Sequence, residues 1–151
     1  MNAYVVRPIC SNDVPAFNKL VAEDPIIEHY INFTSRELED EGEEPTGYYI
    51  GIFDNQDLVG VCTVGYADAL GPSWTNDCLL SDVYIQSSRE GHGLGSILVR
   101  EAIKLAKATY PEAKYLYAEI LLDYLFGWYQ RLGFEISTEM YGVRYTLNPD
   151  K

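Results

Sequence analysis

Residues 83–98 read VYIQSSREGHGLGSIL, an apolar strand-like run that passes through a glycine-dense turn directly into an amphipathic helix. Gly91, Gly93 and Gly95 alternate across that turn. Alternating glycines remove every second side chain, so backbone N–H groups can approach a ligand closely. The helix that follows adds unpaired N–H groups and the positive end of its dipole. Strand, turn and helix in this order build a cradle for a phosphate or pyrophosphate.

The rest of the chain has to fold around that cradle. Its 151 residues suit a single domain spanning 1–151, long enough to bury roughly two thirds of its unfolded surface. No apolar run approaches the roughly 20 residues that a bilayer crossing needs. The start, MNAYVVRPIC, lacks the basic segment, apolar stretch and small-residue cleavage site of a secretory signal. Cys10, Cys62 and Cys78 form no CxxC pair and no even framework, and two of them sit in apolar strand-like runs. A cytoplasmic protein with reduced thiols is expected. The net charge of -12 rests on 23 acidic residues against 11 basic ones. Nucleic-acid binding needs a basic footprint and is not expected. A cationic small molecule or basic peptide suits the field better, and the other reading is that the acidity simply keeps the protein soluble.

Hydrophobic periodicity and turn residues give the element order. Residues 4–8 read as a strand, and Ser11-Asn-Asp-Val-Pro starts a helix carrying Phe17, Leu20 and Val21. A second helix is predicted over residues 25–40, with Ile26, Ile27, Tyr30, Ile31 and Phe33 on its apolar side and an acidic loop after it. Residues 48–53 and 58–66 form a hairpin across Asp54-Asn-Gln-Asp57. Residues 67–77, with Gly71-Pro72 and Trp74, are predicted as a loop, and 78–85 as the next strand. A third helix over 93–109 buries Leu94, Ile97, Leu98, Ala102, Leu105 and Ala106, and Tyr110-Pro111 ends it. After a strand at 115–121, Asp123 is expected to cap a short helix holding Leu125, Trp128, Tyr129 and Leu132. Gly133 stops that helix, Phe134 packs back over it, and strands at 134–138 and 143–147 finish the chain. The fold class is α/β (α+β), in the order β-α-α-β-β-β-α-β-α-β-β. The sheet is mixed and mainly antiparallel, with helices on both faces.

Two familiar phosphate motifs fit the glycine turn poorly. A dinucleotide fingerprint starting at Gly91 puts Ser96 where its third glycine belongs, and the region before it is a hairpin rather than a crossover. A Walker loop needs Gly-Lys followed by Ser or Thr, which is missing.

The 83–98 segment is followed about thirty residues later by WYQRLGF. Together the two resemble the GNAT superfamily of acetyl-CoA-dependent N-acetyltransferases. That family's first signature is a strand, then Gln or Arg, two residues, Gly, one residue and Gly or Ala, then a helix. Its second is a short helix ending in Leu-Tyr, three residues, Gly-Phe. The element order agrees with the family's over essentially the whole chain.

The resemblance implies that the strand before the turn splays from its neighbour and pairs with the pantetheine arm of acetyl-CoA through Val83 and Ile85. It implies that Glu90, Gly91, His92, Gly93, Leu94, Gly95 and Ser96 surround the pyrophosphate. Glu90 departs from the pattern, standing where the family has Gln or Arg, with Arg89 beside it as a substitute cation. It further implies that Tyr129 lies near the sulfur. A phenol, with an ordinary pKa near 10, can give that sulfur a proton as it leaves.

The base is less sharply marked. Asp82 and Glu119 are the strand carboxylates, and burial of Asp82 would raise its pKa toward a useful range, whereas a plain structural hydrogen bond is its other reading. Tyr84 is a candidate wall residue. The family often has an Asn opening the second segment, and Asp123 stands one position out of register with it. No cysteine and no serine–histidine pair sits where the thioester would lie, so attack is expected to be direct. The N–H of Val83 is placed to polarise the carbonyl.

Other features read as structure. His92 points to solvent in the turn, and His29 has no companion ligand, so no metal is expected. The acidic run 37–44 reads as a solvated loop, and most of the 13 tyrosines as half-buried strand residues. The expected reaction moves an acetyl group to a primary amine, small or on a protein. A non-catalytic acyl-CoA-binding sensor or interaction module is the alternative. No membrane partner is expected, and edge strands with exposed aromatics suit a homodimer.

Overall fold

The computed structural model describes residues 4–70 and 76–151. Its strands are β1 (Tyr4–Pro8), β2 (Tyr49–Asp54), β3 (Asp57–Tyr66), β4 (Cys78–Ile85), β5 (Tyr115–Glu119), β6 (Glu135–Ile136) and β7 (Gly142–Thr146). Its helices are α1 (Val14–Glu23), α2 (Ser35–Glu41), α3 (Leu94–Thr109) and α4 (Leu125–Arg131). This is the element order read from the sequence. The strands line up as β1-β2-β3-β4-β5-β7-β6. Pairing is antiparallel in β1–β2, β2–β3, β5–β7 and β6–β7, and parallel in β4–β5. Gly71-Pro72 and Trp74, placed in a loop by the sequence, lie outside the described residues. Ala67–Leu70 before them is a short 3-10 turn.

The chain packs as two compact units, one taking in the chain up to Thr63 with Asp82–Ala102, the other Val64–Ser81 with Ile103–Lys151. In the first, Tyr4 to Pro8 pair with Asp54 to Ile50, and Asn55, at φ +57, turns the β2–β3 hairpin. Its core gathers Ile9, Phe17, Leu20, Ile27, Leu38, Leu58, Val61 and Tyr84. Pro15 sits in the first turn of α1, where a missing N–H costs nothing. Ahead of that turn the Asp13 carboxylate takes the Arg7 guanidinium at 2.7 and 3.0 Å and the Cys10 N–H at 3.1 Å.

The predicted helix over 25–40 is a correction. It divides into a 3-10 turn, Pro25–His29, and α2, with non-helical chain that bends at Asn32 between. Ile31 and Phe33 are both buried while Asn32 between them is exposed, an alternation that a continuous helix would not give. Thr34 then opens α2 with a capping box, its N–H and hydroxyl both bonded to the Glu37 carboxylate. Tertiary burial has overridden helical propensity here.

In the second unit, β5 lies between partners along both edges, and Leu116, Tyr117 and Ala118 are buried. A Cβ at Gly142 would collide with the Ala118 carbonyl, so only glycine lets β7 come this close. Gly133, at φ +103, ends α4 as expected, and the Phe134 N–H returns to the Tyr129 carbonyl at 3.1 Å. Asp123 does not cap α4. Tyr124 occupies the cap position, and the Asp123 carboxylate is taken by the Tyr141 hydroxyl, which outcompetes the helix N–H groups. Along α3, Leu94, Leu98, Ala102 and Ala106 are buried at four-residue intervals together with Val99 and Ile103, while Ile97 and Leu105 are half-buried.

Candidate active site

β4 pairs with β5 only through Cys78–Leu80. Two residues later Asp82 adopts φ +58, a left-handed conformation that costs an L residue roughly 1–2 kcal/mol. Its carboxylate is gripped by Asn32, through the backbone N–H at 3.2 Å and the side-chain amide at 3.0 Å, with the Thr63 hydroxyl at 3.5 Å. Burial pushes the Asp82 carboxyl above the usual carboxylate range, and these bonds only partly offset it. Both expectations for Asp82, the raised pKa and the structural bond, are therefore present together.

Beyond this bend the strand stays with β3. The Gln86 N–H reaches the Val59 carbonyl at 2.8 Å. A Cβ at Gly60 would stand 2.9 Å from the Tyr84 carbonyl oxygen, so that carbonyl also faces β3. Peptide groups alternate sides along a strand, which turns the N–H and C=O of Val83 and Ile85 to the opposite edge. That edge suits the backbone pairing expected of these two residues.

The turn follows. The Arg89 N–H closes on the Gln86 carbonyl at 2.9 Å, and the Glu90 N–H on Ser87 at 3.4 Å. Gly91 (φ +83) and Gly93 (φ +76) bracket His92, and a Cβ at either would meet nothing within 4 Å. These two glycines are required by backbone conformation, and they face open space. The first bond of α3 runs from the Ile97 N–H to the Gly93 carbonyl at 3.2 Å. The N–H groups of Leu94, Gly95 and Ser96 precede that ladder and have no acceptor among the described residues. His92 is exposed, as expected, and with Tyr4, Ser88, Arg89 and Leu94 it lines a polar cavity of about 330 Å³.

Two expectations at the turn need correction. Arg89 does not stand in for the missing Gln or Arg, because its guanidinium is bound to Asp54 at 2.5 Å. The N–H of Glu90 is turned to Ser87 rather than left open. The Glu90 side chain itself is exposed.

Tyr129 belongs to the second unit. It is 6% exposed, with its ring packed edge-on against Trp128 (4.8 Å) and Phe134 (5.1 Å). All three cysteines are buried and free of disulfides. Burial pushes the Cys78 thiol up to about 12 and the Cys62 thiol higher still, so both are protonated and poor nucleophiles. Among the described residues no three His, Cys, Asp or Glu groups come together as metal ligands. No helix among them is long and apolar enough to cross a membrane.

The sequence reading missed one group of residues. Asp24, 8% exposed, accepts the Ser87 N–H at 2.7 Å and the Tyr84 hydroxyl at 2.5 Å. Glu23 accepts the Gln86 side-chain amide at 3.1 Å. An Asp before a Pro signals a helix end, but nothing local points to a partner 63 residues away. A second cavity, of about 530 Å³, lies in the same unit, walled by Phe17, Val21, Ile31, Asn32, Phe33 and Thr34 among others.

A family model described as the acetyltransferase (GNAT) family matches residues 14–134. No curated protein matches the sequence. Solved structures share the fold at low identity. The acetyltransferase of GNAT family from Streptococcus pneumoniae superposes with a TM-score of 0.67 at 17% identity, covering 95% of this chain and 96% of that one. The yncA protein of Salmonella typhimurium, solved with its cofactor acetyl-CoA, gives 0.70 at 18%, covering 97% and 95%. N-acetylglutamate synthase from Neisseria gonorrhoeae, complexed with coenzyme A and L-arginine, gives 0.67 at 16%, covering 96% of this chain and 33% of that one.

Proposed function

This chain belongs to the acetyltransferase (GNAT) family, and on that premise we propose that it moves an acetyl group from acetyl-CoA to a primary amine. The observation that supports the reading is the glycine turn, with Gly91 and Gly93 at positive φ facing open space and the N–H groups of Leu94, Gly95 and Ser96 ahead of the first α3 bond, following on the Val83 and Ile85 edge that strand alternation turns away from β3. The N–H groups suit a diphosphate, and the strand edge suits the amides of a pantetheine arm. The whole chain, 1–151, acts as one such domain in the cytoplasm. Its acidity favours a small or cationic amine over nucleic acid, and a homodimer is the expected assembly.

Acetyl-CoA, when bound, supplies an acyl carbon with a thiolate leaving group. The chain does the rest. An amine acceptor arrives protonated at neutral pH and must lose a proton before it can attack. Asp82 takes that proton, and its raised pKa makes it a better base than an exposed carboxylate. The Val83 N–H steadies negative charge on the carbonyl oxygen. Tyr129 gives a proton to the departing sulfur. Attack is direct, since the Cys62 and Cys78 thiols are buried and protonated. Metal plays no part in this scheme.

The test is an amine panel at fixed acetyl-CoA, following thiol release and acetylated product by mass spectrometry. Thiol release that depends on an amine supports transfer. Tight coenzyme binding with no release for any amine supports an acyl-CoA sensor instead.

A further inference from the structure

We propose that Asp24 is a positioning residue that couples the coenzyme turn to segment 25–34, which walls the 530 Å³ cavity, so that filling one site orders the other. The proposal rests on the coenzyme reading above and adds a connection to it.

Asp24 ends α1, its N–H still bonded to the Leu20 carbonyl at 2.9 Å, and it immediately precedes Pro25. Its side chain reaches forward to the coenzyme turn. One carboxylate oxygen accepts both the Ser87 N–H and the Tyr84 hydroxyl, and Tyr84 is itself within 3.1 Å of the Ser87 hydroxyl. Glu23 holds Gln86 alongside. Residues 84, 86 and 87 are thus fixed by two consecutive carboxylates at the end of one helix. Ser87 opens the turn that leads into Gly91 and Gly93.

Burial alone would push the Asp24 carboxyl up. The bonds from Ser87 and Tyr84 more than reverse this and hold it below its ordinary value. A buried charge is a costly way to fill space, so its value lies in fixing geometry.

The segment after Asp24 returns to β4 twice more. The Tyr30 ring stacks on Tyr84 at 5.5 Å, and Asn32 grips Asp82. Ile31, Asn32, Phe33 and Thr34 from this segment wall the 530 Å³ cavity. Three attachments therefore tie one wall of that cavity to the strand and turn expected to carry the coenzyme. Asp24 is the one that reaches the turn itself. Coupling of this kind is reciprocal, whichever ligand arrives first.

The test is amide hydrogen exchange on the full chain with and without coenzyme A. In the wild type, coenzyme A should slow exchange at residues 91–97 and also at 26–34, the latter about fivefold or more. In Asp24→Asn the slowing at 91–97 should persist while that at 26–34 falls away. Tyr84→Phe, which keeps the ring and removes one donor to Asp24, should weaken the transmitted slowing and serves if Asp24→Asn does not fold. Slowing confined to 91–97 in the wild type would overturn the coupling and leave the coenzyme site standing. Transmission undiminished in both variants would also overturn it. No slowing anywhere would overturn the coenzyme reading and the coupling with it.

Discussion

Asp24 and Asp82 bracket the contact between segment 25–34 and strand β4, and their environments push them in opposite directions. Asp24 has two strong donors on one oxygen and is held ionised, below its ordinary pKa. Asp82 sits at a left-handed bend, where burial outweighs the bonds from Asn32 and Thr63 and its pKa is raised. The difference separates two uses of a buried carboxylate. A fixed charge positions a turn, while a carboxylate whose pKa burial raises accepts a proton more readily than an exposed one.

The largest expected effect comes from removing the exchangeable group. Asp82→Asn should lower kcat about a hundredfold to a thousandfold and abolish the acidic limb of the pH–rate profile, with coenzyme affinity little changed. An unaltered acidic limb would take the base role away from Asp82. Tyr129→Phe should cost about tenfold to a hundredfold in kcat with little change in coenzyme affinity. Steady-state kinetics across pH reads both.

Next comes stability. Asp24→Asn should destabilise the fold by about 1–3 kcal/mol, as befits a buried acceptor lost to two donors, measured by urea unfolding. The pH dependence has opposite signs at the two sites. Because the Asp24 pKa is depressed on folding, its stabilisation is full above the unfolded value of about 3.9 and is lost as pH falls toward its lower folded value. Because the Asp82 pKa is raised, its contribution declines as pH climbs from about 3.9 through its higher folded value. Asp82→Asn should therefore gain on the wild type as pH rises above about 3.9, whereas Asp24→Asn should lose ground as pH rises toward about 3.9 from below and stay level above it. Parallel curves for the two variants would erase the contrast. The smallest effect belongs to Glu90→Gln, which removes an exposed like charge beside the pyrophosphate turn. It should tighten coenzyme A by on the order of 1 kcal/mol, about fivefold in Kd, by calorimetry.

The same contrast explains what the sequence could reveal. Residues 83–98 are a local pattern, and their strand, glycine turn and helix fold where the apolar run, the glycines and the 3.6-residue period place them. Gly133 and Phe134 are local too, and end α4 as read. Segment 25–34 is different. Its apolar residues suit a helix, but burial of both Ile31 and Phe33 and the Asn32–Asp82 clamp go with a break after the 3-10 turn Pro25–His29. Arg89 looked free because Asp54 lies 35 residues away, and Asp123 looked like a cap because Tyr141 lies 18 away. Asp82 was legible as a carboxylate in an apolar strand, but its bend was not. Local periodicity reached the coenzyme turn, and the long-range polar contacts that hold it were beyond that reach.

The central claim is that the amides of residues 91–96, with the strand edge at 83 and 85, receive the coenzyme. Titrating isotope-labelled protein with acetyl-CoA and following backbone amide resonances by NMR tests it most directly. The largest shifts should fall on Gly91, His92, Gly93, Leu94, Gly95 and Ser96, with Val83 and Ile85 next. Saturable binding that leaves those amides unmoved while others shift would contradict it.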